Sequence, residues 1–208
     1  EPNTEVIVTG SNAKMLSKEV ATTLGGRFFI YDAYPYSFKE YLAAQQVELR
    51  EHWEYDTIQR SEVKRHLNEY FYYGGLPEIL SFKNKRAMLS SLYQKIYLGD
   101  ICARNNIKND RVLNILIKKM AESVKQPLSY NRLKNVIVAT GSPISVPTTI
   151  DYVDYASDSW LILPMENEVG KLTEKEMQKK YYFVDNGLLN LFLMNSETSL
   201  LENMVAVE

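Results

Sequence analysis

The sequence predicts an α+β fold that is mostly helical, on three observations. Two short apolar runs near the start, residues 6–8 and 27–31, flank a stretch with helical periodicity. Between residues 38 and 157, apolar side chains recur at the three- and four-residue spacing of helix faces. Two more strand-like runs, residues 160–163 and 180–184, come only after those helices.

Residues 6–8 suit a fully buried strand, followed by Thr9-Gly10-Ser11-Asn12 as a polar turn and helix cap. Residues 13–24 place Leu16, Val20 and Leu24 on one helix face, and Gly25-Gly26 ends it. Residues 27–31 read as a second buried strand, so the order strand–helix–strand implies a parallel sheet. Two strands do not make a stable open sheet, and the others are expected from preceding sequence. The lack of an initiator Met and a helical pattern still running at Glu208 give the same expectation of a piece of a longer protein.

After Pro35, Ser37 and Glu40 form a capping box for a helix over 38–49. Helices are then predicted over 61–73 and, after a Gly74-Gly75 turn and a short helix, over 87–104. Leu89, Leu92, Tyr93, Ile96 and Tyr97 form the inward stripe of the longer one. A helix over 110–124 turns Leu113, Leu116, Met120 and Val124 inward, with Pro127 ending it. Ser129 caps a helix to about 139, and Thr148 or Thr149 caps a third to about 157. Residues 167–174 read as a turn-rich loop between the two strands of a ribbon. Three helices and a two-stranded ribbon are the order of a winged helix-turn-helix.

The 208 residues carry a net charge of −2, so no global electrostatic footprint marks a nucleic-acid partner, although a local patch remains open. The single cysteine, Cys102, excludes an internal disulfide and fits a reducing cytoplasm. No run approaches the ~20 apolar residues of a membrane helix, so no membrane partner is expected. No internal repeat or low-complexity tract is visible.

A series of short motifs runs through the chain in order: Val6-Ile7-Val8-Thr9-Gly10-Ser11-Asn12, Leu24-Gly25-Gly26-Arg27, and Tyr34-Pro35-Tyr36-Ser37-Phe38-Lys39-Glu40-Tyr41-Leu42. Tyr73-Gly74-Gly75-Leu76-Pro77-Glu78, Gly99-Asp100-Ile101-Cys102-Ala103-Arg104 and Thr149-Ile150-Asp151-Tyr152 follow. Tyr182-Phe183-Val184-Asp185-Asn186-Gly187-Leu188 and Leu201-Glu202-Asn203 complete the series. Each is weak alone, but together they resemble a family of AAA-type P-loop ATPases of bacteria and archaea. The resemblance implies the trailing part of an ATPase core at 1–50 and a helical linking segment at 51–108. It also implies a winged-helix domain at 109–184 and the start of a PD-(D/E)XK nuclease-like domain at 185–208. The implied partners are a missing N-terminal ATP-binding half and further copies in a homo-oligomer. ATP and Mg are implied for the intact parent, and no cofactor for this chain.

Phosphate binding needs a glycine-rich loop before a Lys and a Ser or Thr, and no G-x-x-x-x-G-K-[ST] occurs; Gly170-Lys171 lacks the rest. The chain is therefore not expected to bind or hydrolyse a nucleotide alone. Asp32 and Asp185 each end an apolar run, as a magnesium-binding carboxylate would. The plainer reading of both is an Asp at a strand edge, and the resemblance agrees.

The resemblance places a sensor at Ser11 and Asn12, where a polar side chain orients the attacking water beside the γ-phosphate. Asn12 is the catalytic candidate and Ser11 the nucleotide contact; the alternative is a cap for the following helix. Arg27 is the candidate arginine finger, in cis or toward a neighbouring subunit, with a surface Arg beside a strand as the simpler reading. Arg104 is a weaker second candidate.

A winged helix invites DNA, but the third helix carries Asp151, Asp154 and Asp158 and no Lys or Arg, which opposes phosphate binding. The candidate DNA contacts are Lys118, Lys119, Arg132 and Lys134, with Lys125 nearby in sequence. Glu202 would begin a nuclease-like metal site whose other carboxylates are absent, so no metal site is expected. His52 and His66 fit no zinc spacing.

Overall fold

A computed structural model describes residues 7, 9–10, 27, 29–166, 169–171, 179–194 and 196–208. The fold is α+β and mostly helical, with one two-stranded sheet among the described residues. The helix expected over 13–24 lies outside the described residues. The run at 27–31 is not a buried strand: Arg27 and residues 29–31 form no regular structure, and Phe29 and Tyr31 are both 88% exposed. Ile7 is likewise exposed. An apolar run becomes a buried strand only when neighbours take up its backbone bonds and both its faces. No described strand lies beside this one.

Helix α1, Phe38–Ala44, starts with the expected capping box: Ser37 N–H donates to Glu40 at 2.8 Å and Glu40 N–H donates back to Ser37 Oγ at 3.4 Å. It ends five residues earlier than the pattern suggested, where Gln46 turns to φ 58°. Helix α2, Thr57–Tyr73, begins earlier than Ser61 because Asp56 supplies the cap, accepting Ile58 N–H at 2.8 Å. Helix α3, Pro77–Leu80, takes Pro77 in its first turn, where a missing N–H costs nothing.

Helix α4, Lys85–Gln94, passes into a π-helical stretch, Lys95–Ala103. Its wider turn brings both Ile101 and Cys102 onto the buried face that carries Tyr97. Helix α5, Asp110–Glu122, turns Leu113, Leu116 and Met120 inward as expected. Helix α6, Tyr130–Ala139, is capped by Ser129. Helix α7, Val146–Asp158, is capped by Ser145, not by Thr148 or Thr149. Ser145 accepts Thr148 N–H at 3.2 Å, while Thr149 is buried and donates its hydroxyl to the Ser145 carbonyl. Pro147 fits that first turn and lets the helix begin earlier.

Strands β1, Ile162–Met165, and β2, Lys180–Phe183, pair antiparallel with Ile162 opposite Phe183. The first strand starts two residues late because Trp160 adopts φ 58°. Two short helices follow, α8 (Asn186–Asn190) and α9 (Glu197–Val207). One apolar core runs from Ile79 through α5, α6, α7 and the ribbon to Leu200. A smaller cluster of Tyr41, Leu42 and Tyr70 seats α1 on α2. No helix among the described residues is long and apolar enough to cross a membrane.

Candidate functional site

The motifs that are far apart in sequence meet at the C-terminal end of α2. A helix leaves its last carbonyls without partners, and these must be satisfied. Here α8 does so: Asn186 Nδ2 donates to the Phe71 carbonyl and Asn190 Nδ2 to the Tyr72 carbonyl, each at 2.9 Å. The two asparagines are four residues apart and so lie on one face of α8. Gly74 closes α2 with φ 75°, a conformation that excludes most side chains, and a Cβ there would overlap the Asp185 carboxylate.

Asp185 sits at the centre of this joint, 2% exposed. Its Oδ1 accepts the N–H groups of Gly187 and Leu188 at 2.8 and 3.3 Å, capping α8. Its Oδ2 accepts Gly75 N–H at 2.8 Å, across 110 residues of sequence. Burial pushes the carboxyl up to about 6, although the backbone N–H bonds pull it down. The Gly75 carbonyl in turn accepts Tyr36 N–H at 2.9 Å. A Cβ on Gly75 would overlap the Tyr36 carbonyl, so the two backbones touch there. Asp185 is thus linked, through the single residue Gly75, to the segment that leads into α1.

The third motif closes the joint from below. Asn203 on α9 is fully buried; it accepts Phe183 N–H at 2.7 Å and donates to the Phe183 carbonyl at 3.0 Å. It also donates to Asn186 Oδ1 at 3.1 Å. One side-chain amide therefore pairs with the free edge of β2 as a neighbouring strand would. Above it a cleft of about 450 Å³ opens between Asp32, Tyr34 and Tyr36 on one side and Tyr70, Asp185 and Glu208 on the other. Tyr34 packs edge-on against Trp160, with ring centroids 5.1 Å apart.

Of the sequence-predicted residues, Ser11 and Asn12 lie outside the described residues. Arg27 is exposed in irregular chain. Arg104 pairs with the buried Asp100 at 3.2 Å, the i,i+4 spacing of a helix clamp. Lys118 is exposed on α5, and its neighbour Lys119 pairs with Glu122 at 3.0 Å. Arg132 and Lys134 are on α6, which packs against α5; Arg132 reaches Gln126 at 3.5 Å. Lys125 bonds Thr198 on α9.

Glu202 accepts from Lys180 at 2.7 Å and Tyr182 at 3.2 Å, and the lysine bond holds its carboxyl below the usual range. His52 is exposed; His66 is buried, and burial lowers its pKa. Among the described residues no three His, Cys, Asp or Glu side chains gather as metal ligands. The roles of Gly75, Asn186, Asn190 and Asn203 were not assigned from sequence. Gly75, Asn186 and Asn203 belong to the motif series, which does not say what they touch, and Asn190 lies outside it.

With the geometry in view, residues 64–199 match the model of a family described as a domain of unknown function, DUF8612. That match spans well over half of the chain, and the chain belongs to this family. Residues 1–42 match the model of an AAA domain, which relates the N-terminal segment to AAA-type ATPases. Uncharacterized protein MJ1544 of Methanocaldococcus jannaschii is 30% identical over 208 residues, covering 98% of this chain and 46% of that protein. An uncharacterized protein of Haemophilus influenzae is 32% identical over 189 residues, covering 89% of this chain and 45% of that protein. The chain thus spans about half the length of the curated relatives it matches. No solved structure matches it.

Proposed function

We propose that this chain is the trailing part of an AAA-type ATP-binding protein and supplies sensor and coupling elements without binding ATP alone. Residues 1–50 would be the trailing part of the ATPase core, with Ser11 and Asn12 as sensor and Arg27 as finger. Residues 51–108 would link this to a winged-helix domain at 109–184, and 185–208 would begin a nuclease-like domain. ATP and Mg would be held by a preceding half that carries the phosphate loop, in a homo-oligomer if Arg27 acts on a neighbour, in the cytoplasm.

One observation carries the reading. The AAA match ends at residue 42, and its last residues, Tyr36 to Leu42, are tied by hydrogen bonds and packing into the joint around Asp185. An ATPase-type segment fixed to a second domain in this way is suited to pass a displacement on. The intact protein is expected to bind Mg-ATP in calorimetric titration, while residues 1–208 alone bind none. Binding by the short chain, or none by the intact protein, sinks the reading.

The order α5, α6, α7, β1, β2 favours a second reading, a winged-helix module that binds DNA or protein without catalysis. Asp151 and Asp154 are exposed on α7, so phosphate contacts would come from Lys118, Lys119, Arg132 and Lys134 instead. Duplex binding should then weaken with salt. Neutralising Lys118, Lys119 and Arg132 together should flatten the log–log salt slope by about 3. An unchanged slope would remove these three residues from the interface, and no duplex binding at low salt would leave only a protein partner.

A further inference from the structure

One hydroxyl proton at the edge of the cleft faces two acceptors. Tyr70 Oη lies 2.8 Å from the Tyr36 carbonyl and 2.6 Å from Glu208 Oε1. A phenol has a single proton, so it donates fully to one oxygen at a time. Burial, and then the Glu208 carboxylate, push the Tyr70 pKa far up, so that proton stays on the ring oxygen. The same Glu208 Oε1 also accepts Phe38 N–H at 2.7 Å. Tyr36 and Phe38 belong to the segment that matches an AAA domain, and Glu208 follows the last turn of α9.

The ring itself has no freedom to leave. It packs against Phe38 and Tyr41, with centroids 5.4 and 5.3 Å apart, and α2 holds its backbone. Only the acceptors can exchange. When Tyr70 donates to Tyr36, the 36–38 segment is held on the body and Glu208 keeps Phe38 N–H as its remaining donor of the two. When it donates to Glu208, that carboxylate gains a second donor, and the end of α9 is held on α2 as well as by Phe38 N–H.

We propose that Tyr70 is a coupling residue that switches its hydrogen bond between the AAA-type segment and the C-terminal helix α9, so that loosening one tightens the other. The proposal deepens the ATPase reading, on which it rests only for what displaces Tyr36; the competition between acceptors needs no nucleotide. Gly75 makes the switch directional. It fixes the Tyr36 N–H while the Tyr36 carbonyl depends on the shared hydroxyl.

Residue-resolved hydrogen exchange on the intact protein, without nucleotide, tests this. In Glu208→Ala the Tyr70 proton has only Tyr36 left, so the Tyr36 amide should exchange about threefold more slowly while the last turn of α9 exchanges faster. In the double variant Tyr70→Phe/Glu208→Ala the slowing at Tyr36 should vanish. A merely structural Glu208 would slow no amide. An unchanged or faster Tyr36 amide in Glu208→Ala overturns the proposal, as does slowing that persists without the hydroxyl. Failure of the ATPase reading would appear separately, as absent Mg-ATP binding.

Discussion

Asp185→Asn is expected to destabilise the fold by about 3–5 kcal/mol, read from the midpoint of urea unfolding at pH 7. The two carboxylate oxygens accept from opposite sides, Gly187 and Leu188 on one and Gly75 on the other. An asparagine offers one acceptor and one donor, so whichever way it turns, its NH2 faces an N–H. The site is buried, where an unpaired polar group is costly.

The same variant has a pH signature. Burial raises the folded-state value of Asp185 to about 6, above its ordinary 3.8, so the native state holds this proton more tightly than the unfolded chain. The contribution is therefore fully present below pH 3.8 and is lost as pH rises through 6, with a span of about 3 kcal/mol. Asparagine does not titrate. The stability gap between wild type and Asp185→Asn should be wider at pH 4.5 than at pH 7.5 by about 2 kcal/mol. A gap that narrows toward acid would show that Asp185 is stabilised as a carboxylate instead.

Asn203→Leu is expected to cost about 3–4 kcal/mol, because it leaves the N–H and carbonyl of Phe183 and the Asn186 amide oxygen without partners in the buried interior. The volume is nearly kept, so the loss is one of hydrogen bonds, not of packing. Asn203→Asp separates the two halves of the interaction. It still accepts from Phe183 N–H but sets its second oxygen against two acceptors. That variant should recover stability on acidification, when the added proton restores a donor. Thermal unfolding at two pH values checks both, and an Asn203→Leu protein that melts as wild type does would remove Asn203 from the joint.

Much of this architecture is written locally, and that part was legible. The Ser37 and Glu40 capping box, the Ser129 cap and the inward stripe of α5 depend on neighbours within one or two turns. The misplaced boundaries share a cause. Asp56 and Ser145 cap earlier than the first clear apolar repeat, and a cap is a single polar residue that pattern reading overlooks. The run at 27–31 carries a strand's composition, yet composition cannot supply the strands beside it. The joint was legible only as a list of motifs. Asp185 looked like a residue at the end of an apolar run, and nothing local says that its second oxygen reaches Gly75, 110 residues away.

The joint also sets how this chain ages. Asn186-Gly187 is the dipeptide most prone to deamidation, in which the glycine nitrogen attacks the asparagine side chain to close a succinimide ring. Here that nitrogen is engaged with Asp185, and the Asn186 amide is held by Phe71 and Asn203. While the fold is intact these hydrogen bonds hold both reacting groups in place. Each opening of the joint exposes the pair to a reaction that does not reverse to asparagine, so isoaspartate at residue 186 is expected to build up with time spent unfolded, which peptide mapping would read.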